Sequence, residues 1–274
     1  MNYRNDTETF VVSHRKALSH HMPVSHFHDT FEIYYLMSGM REFFLQDRTL
    51  TISEGDIVII APNVLHRTTN TEKPQHERFI VNLHERYFSA DGTHRETLQP
   101  LFERDYLIVN GSLRDRLSMD TITRQMLLEM RERQPGFELF AQALAVQLLI
   151  ACCRQARQET EKQPSSPSRM HDQMSEIVRY INGHYMEELS LPLLADKFYI
   201  SPYYLSRSFK AATGFAFTEY VSSVRIKEAK KLLEGTSLKV NVIARRVGFG
   251  SVTHFGRVFK ELTGNHPLFY RKKS

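Results

Sequence analysis

Three histidines and a glutamate are the residues of this chain best equipped for chemistry: His26, His28 and Glu32 in H-F-H-D-T-F-E, and His66 in P-N-V-L-H. On an extended strand His26 and His28 point the same way, because side chains alternate with a period of two. With Glu32 and His66 they would offer three imidazoles and a carboxylate, a donor set that suits a divalent metal such as Zn²⁺, Mn²⁺ or Fe²⁺. The same groups also suit hydrogen bonds to the hydroxyls of a small organic ligand, or can satisfy one another with no ligand at all. The residues alone leave these three readings open. Phe31, Tyr34, Tyr35, Phe43 and Phe44 lie close by in sequence, and they fit either a pocket that stacks on a sugar ring or an ordinary core.

The elements that must position these groups read as strands. Phe31–Met37, Arg41–Gln46, Thr49–Ile52, Asp56–Ile60 and Arg78–Leu83 are rich in residues that fit a pleated surface, with Gly39 and Asp47-Arg48 as breaks. Short strands at about ten-residue spacing imply a sandwich or barrel. The spacing of H26-F-H28-DTF-E32-IYYLMS-G39, then G55-DIVIIA-P62-NVL-H66-RTT-N70, resembles the two motifs of cupins, small jelly-roll barrels that hold metals or small ligands inside. Val64 stands where the second cupin motif has a glycine. Beyond residue 95 the period becomes helical: Leu113, Leu117, Ile122, Met126, Leu127 and Met130 form one stripe, and Phe140, Leu144, Gln147, Leu148 and Ala151 another. Two such helices would cover the barrel or pair with a second subunit.

The last hundred residues contain an internal repeat. Leu189, Ala195 and Phe198 match Leu238, Ala244 and Val247, and Arg207, Phe209, Lys210, Thr213, Gly214 and Tyr220 match Arg257, Phe259, Lys260, Thr263, Gly264 and Tyr270. Each unit reads as two helices around a tight turn. In the first, Leu191–Phe198 leads through Tyr199-Ile200 to a helix capped by Ser201-Pro202 and stopped by Gly214. In the second, Val242–Val247 leads through Gly248-Phe249-Gly250 to a helix capped by Ser251 and stopped by Gly264. Two helices joined by a short turn present the second to a DNA major groove. Between the units, Thr218–Glu234 lacks Pro and Gly and reads as one helix, about 26 Å long. Such a rod would hold two recognition helices roughly one DNA turn apart, about 34 Å.

The stretches A195-DKFYISPYYLSRSFKAAT-G214 and A244-RRVGFGSVTHFGRVFKELTGNHPLFY-R271 resemble the DNA-binding domain of the AraC/XylS family of bacterial transcription regulators. The resemblance covers about 100 residues. It implies that Tyr203, Ser206 and Arg207 face bases from the first recognition helix, and Val252, Thr253 and Arg257 from the second. Arginine pairs with guanine O6 and N7 through two hydrogen bonds, whereas Lys210 and Lys260 suit phosphates, which add affinity without reading sequence. The departure is Val252, where a polar residue is usual. It either touches a thymine methyl or adds no specificity. The family further implies double-stranded promoter DNA, a small-molecule effector such as a sugar, RNA polymerase and a second copy of the chain as partners. Activation is its commoner mode.

Charge agrees with this division. The whole chain carries +5, but residues 1–169 hold 20 Lys and Arg against 22 Asp and Glu, and residues 170–274 hold 16 against 9. A basic half beside a slightly acidic one points to nucleic acid. With 41% apolar and 24% charged residues, the composition excludes collagen-like and broadly disordered chains. The start MNYRNDTETF lacks the apolar core of a secretory signal, and the apolar stretch Phe137–Cys153 is interrupted by Glu138, Gln142 and Gln147. Cys152 and Cys153 are adjacent within a helical pattern, a poor place for a structural disulfide, which fits a reducing cytosol. The expectation is a soluble cytoplasmic α+β protein. It has an N-terminal cupin-like β-barrel (1–95), a helical dimerisation segment (96–162), a Pro/Ser linker (163–171) and an all-α domain (172–274) of two helix-turn-helix units on a connecting helix. A metal-dependent cupin enzyme, an isomerase or dioxygenase with a DNA-binding appendage, is the alternative. It leaves the repeat unexplained.

Overall fold

The computed structural model describes residues 1–5, 9–18, 28–71, 73–88, 96–110, 113–156 and 168–271, the side chains of 113–115 excepted. His26 and most of the 163–171 linker lie outside the described residues. Eight strands make the N-terminal part: β1 (Asn2–Arg4), β2 (Phe10–Ala17), β3 (Phe31–Leu45), β4 (Arg48–Ser53), β5 (Ile57–Ile60), β6 (His66–Asn70), β7 (His76–Leu83) and β8 (Tyr106–Val109). Their order is β1-β2-β7-β3-β5-β8, with β4 and β6 flanking the far half of β3. All pairings are antiparallel.

Strand β3 organises this barrel-like domain. Its first half pairs with β5 and β7 and its second with β4 and β6, with a bulge between Leu36 and Ser38. The two strands expected on either side of Gly39 are therefore one bent strand. Gly39 sits at φ +91, and a Cβ there would strike the Gln75 carbonyl, so the glycine permits a close approach rather than ending the strand. The bend lets Tyr34, Leu36, Phe43 and Leu45 meet Leu50, Ile52, Val58, Ile60 and Ile80 in one inner cluster.

The other face of the larger sheet is covered by helices. After α1 (Gln99–Glu103), the chain adds β8 to the sheet edge and then forms the hairpin α2 (Leu113–Glu132) and α3 (Phe137–Ala156). Strand β8 lies within the segment expected to be helical: four residues alternating against β5 are too short to break a helical pattern read from sequence. Helix α3 is long and apolar enough to cross a bilayer, but Ala141, Leu144, Ala145, Leu148 and Leu149 pack with Phe31, Tyr35, Phe79 and Val81. Cys152 and Cys153 are free and buried in the same cluster, and burial pushes the Cys152 thiol up.

The C-terminal part consists of α4 (Arg169–His184), α5 (Leu191–Lys197), α6 (Pro202–Thr213), α7 (Phe217–Gly235), α8 (Val240–Arg246) and α9 (Val252–Thr263), closed by a 3-10 turn at Pro267–Tyr270. Helix α4 begins inside the span expected as linker. It contributes Met174, Ile177, Val178 and Ile181 to the core that holds both repeat units on α7.

Candidate functional site

The two repeat units fold as their caps dictate. Ser201 accepts a hydrogen bond from the Tyr204 amide (3.1 Å) and Ser251 from the His254 amide (3.3 Å), starting α6 and α9. Gly214 and Gly264 end them in the left-handed conformation, both at φ 78. Leu205 and Phe209 on α6, and Phe255 and Phe259 on α9, are fully buried beneath the close-packed Ala195 and Ala244. The turns share one geometry with different residues: Tyr199 has φ 54 where Gly248 has φ 93.

With those faces buried, the opposite faces are open. Tyr203, Ser206, Arg207 and Lys210 are exposed along α6, and Val252, Thr253, Arg257 and Lys260 along α9. Tyr203 is 75% exposed and Val252 41%. Helix α7, which joins the units, is 19 residues and about 28 Å long.

The second candidate site lies inside the barrel. His28, Glu32 and His66 converge, with one donor atom of each within 4.8 Å of the others. His28 Nε2 is 3.2 Å and His66 Nε2 3.7 Å from Glu32 Oε2. Each ring is anchored through its other nitrogen, His28 Nδ1 to the Thr30 carbonyl (2.8 Å) and His66 Nδ1 to the Val64 carbonyl (2.9 Å). Both Nε2 atoms are thereby turned to the carboxylate, an arrangement that fixes ring orientation in ligand-binding histidines. Burial alone would raise the Glu32 carboxyl. The charge of His66, with the hydrogen bond and charge of His28, outweighs it and holds the carboxyl well below the usual range. Burial would likewise depress His66, yet the Glu32 charge and the Val64 carbonyl lift it above an ordinary histidine. Each member of the buried Glu32–His66 pair thus draws the other toward its charged form.

Asn82, absent from the sequence expectation, completes the group. Its Nδ2 donates to Glu32 Oε2 (3.3 Å) and lies 3.2 Å from His28 Nε2. It sits directly across from Glu32 in the β3–β7 register. The signal for it was the alternation in β7, where Arg78, Ile80 and Asn82 face inward while Phe79, Val81 and Leu83 pack under the helices. Of the five aromatics considered for a ring-stacking pocket, only Tyr34 and Phe43 line the interior. Phe31 and Tyr35 pack against the helices, and Phe44 packs against the C-terminal half.

Phe44 and Leu65 are part of the C-terminal core. The Phe44 ring meets Phe215 at 5.6 Å and Tyr220 at 5.9 Å, and the Arg67 guanidinium lies 5.5 Å from the Phe215 ring. Thr49 Oγ1 donates to the Ala212 carbonyl of α6 (2.5 Å), and Tyr220 lies 3.0 Å from the Gln46 carbonyl (2.9 Å from Asn182 Oδ1). Lys230 Nζ donates to Asn63 Oδ1 (3.0 Å). The barrel thus grips α6 and α7 directly.

A sheet domain with a buried polar cluster inside it, packed on two helix-turn-helix units, defines a DNA-binding regulator with a ligand-binding domain. Residues 9–149 match the AraC-like ligand-binding domain and residues 194–273 a helix-turn-helix domain, and the chain belongs to the AraC family of transcription regulators. It is 26% identical to the uncharacterised HTH-type transcriptional regulator YfiF of Bacillus subtilis, over 96% of this chain and 83% of that one. It is 24% identical to the HTH-type transcriptional activator RhaS of Escherichia fergusonii, over 90% and 87%. Among solved structures, ToxT of Vibrio cholerae superposes over 98% of both chains at 16% identity and a TM-score of 0.41.

Proposed function

We propose that this regulator is a cytoplasmic, effector-responsive activator. It binds double-stranded promoter DNA as a homodimer, engages RNA polymerase, and serves an operon for the use of a carbohydrate or other small molecule. Arg207 and Arg257 read guanines, Tyr203, Ser206, Val252 and Thr253 meet neighbouring base edges, and Lys210 and Lys260 hold phosphates. In the barrel, His28, Glu32 and His66 hydrogen-bond the effector's hydroxyls.

One observation carries the coupling. His66 turns into the barrel beside Glu32, while its neighbours Leu65 and Arg67 pack on the C-terminal half. An effector that draws His66 from Glu32 must shift the segment holding α6 and α7, and so favours one domain arrangement over another. Relatives such as the activator RhaS and the Msm operon regulatory protein of Streptococcus mutans are in keeping with activation of an operon. The test is a transcript comparison of cells with and without the gene, followed by DNA binding of the purified chain to the responding promoter across a panel of sugars. Transcripts that rise on deletion, or binding indifferent to every compound that induces the operon, would reject the reading.

A second reading rests on the anchored rings. Two imidazoles with Nε2 presented to a carboxylate fit a divalent Zn²⁺, Mn²⁺ or Fe²⁺, with His28, Glu32 and His66 as ligands. Such an ion would supply a Lewis-acidic point for effector oxygens. Elemental analysis of the purified chain separates the two readings: stoichiometric metal that is lost in His66→Ala supports the ion.

A further inference from the structure

The barrel interior holds a second polar region that neither DNA recognition nor the His28–Glu32–His66 group uses. A file of rings leads to it: His66 lies 6.3 Å from Phe43, Phe43 5.0 Å from Tyr34, and the Arg78 guanidinium 5.9 Å from the Tyr34 ring. Around the far end of this file stand Arg78, Arg41 and His76, only 8%, 1% and 3% exposed. Strand register places them together. Arg78 is opposite Leu36, His76 opposite Gly39, and Arg41 opposite Asn70, whose side-chain oxygen accepts from the Arg41 guanidinium.

Buried charges in proteins are ordinarily matched by an opposite charge, because desolvating an ion without one is expensive. Arg78 departs from this. Among the described residues no carboxylate lies within ion-pair distance of it, and its Nε, like His76 Nε2, is buried without a hydrogen-bond partner. Its sequence neighbour Glu77 faces away, toward His14 and Lys16. The surroundings are electropositive. Burial, followed by the charges of Arg41, Arg78 and Arg15, keeps His76 below an ordinary histidine, although the Pro74 carbonyl draws it the other way. Burial also raises the Tyr34 hydroxyl to about 12, so it remains a neutral donor beside the two guanidiniums.

We propose that Arg78 and Arg41, with Tyr34 and His76, form an oxyanion site inside the barrel that takes the carboxylate or phosphate group of the effector. The effector is then a small organic anion whose acidic group rests on the arginines. Two donors of a guanidinium match two oxygens of either group, and the missing counter-charge arrives with the ligand.

The inference rests on the barrel being the effector-binding unit, but its test does not require the effector to be known. Full-length wild type, Arg78→Met and Arg78→Lys are melted in chloride, then with acetate or phosphate replacing chloride at equal ionic strength. Removing an unmatched buried charge should raise the melting temperature of Arg78→Met in chloride by at least about 2 °C. Acetate or phosphate should stabilise wild type more than Arg78→Met, with Arg78→Lys between them, because only the folded site binds the anion. A gain from acetate alone identifies a carboxylate ligand, a gain from phosphate alone a phosphate ester, and either supports the site. A lower melting temperature for Arg78→Met in chloride makes the arginine a structural tie and overturns the proposal. An anion effect equal in wild type and Arg78→Met, or absent from both, also overturns it. A neutral sugar that still controls promoter binding in that case leaves the barrel as sensor, so the two readings fail separately.

Discussion

Phe44→Ala isolates the contact between the sensor and the DNA-binding half. Phe44 lies on the bent second half of β3 with its ring turned away from the barrel interior, 2% exposed, against Phe215 and Tyr220. A buried phenylalanine covers at least about 150 Å², and at about 25 cal/mol per Å² its removal costs about 4 kcal/mol, in the middle of the range for Phe→Ala. Because the ring belongs to the C-terminal core and not to the inner cluster of the barrel, this energy is charged to the contact between domains. It corresponds to roughly a thousandfold shift toward separated domains. Amide hydrogen exchange reads the effect locally. Exchange at Ala212–Val224 should accelerate in Phe44→Ala, while β5 and β7 keep their wild-type protection. Slowed effector response with normal binding of a short promoter duplex should accompany it. Unchanged exchange over α6 and α7, or equal loss of protection in β5 and β7, would refute the view that this ring joins the two halves rather than stabilising one.

Three further outcomes are expected. Arg207→Ala and Arg257→Ala should each cost about 1–3 kcal/mol on a cognate site and relax preference at one base position; competition with single-base operator variants checks this, and uniform loss across variants would make both arginines phosphate contacts. Salt should weaken promoter binding steeply, and Lys210→Ala and Lys260→Ala should each lower the slope of affinity against salt by about one; an unchanged slope removes the phosphate assignment. Leu117 and Leu128 stand 61% and 42% exposed on α2, three helical turns apart on one stripe. If that stripe is the dimer seam, Leu128→Glu should sediment as a monomer where wild type is a dimer, and a monomeric wild type would remove the seam.

What could be read in the sequence follows from how local each cause is. Ser201, Ser251, Gly214 and Gly264 act within one helical turn, so both recognition helices were legible to the residue. Gly39 was misread because a glycine between apolar runs looks like a stop. Its actual role, making room for the Gln75 carbonyl, depends on a strand that comes much later in the chain. Alternation in β7 turns Asn82 and Arg78 inward, but only the β3–β7 register sets Asn82 beside Glu32 and Arg78 beside Leu36. Phe44 looked like a pocket residue because alternation across the β3 bulge cannot be counted through from the sequence. Of the histidine and glutamate pattern, His28, Glu32 and His66 come together, His28 just before β3, Glu32 near its start and His66 at the start of β6, while His26 lies outside the described residues.

The duplication supplies its own control for the contact between halves. Gly214 and Gly264 end equivalent helices at the same φ of 78, so alanine at either position meets the same left-handed penalty, about 1–2 kcal/mol. Their surroundings differ. A Cβ on Gly264 meets nothing within 4 Å, whereas one on Gly214 falls 2.6 Å from Arg67 Cδ and 3.2 Å from Thr69 Cγ2, both on β6 of the barrel. Arg67 would have to leave the Phe215 ring, forfeiting a cation–π contact worth about 0.5–2 kcal/mol. Urea unfolding of the full chain should therefore show Gly214→Ala costing roughly 1 kcal/mol more than Gly264→Ala. The excess should vanish when both are measured in an Arg67→Ala background, because backbone strain survives that change and the barrel contact does not. Equal costs in the wild-type background, or an excess that persists without Arg67, would mean that β6 does not hold the end of the first recognition helix, and the coupling path from His66 to DNA would have to run elsewhere.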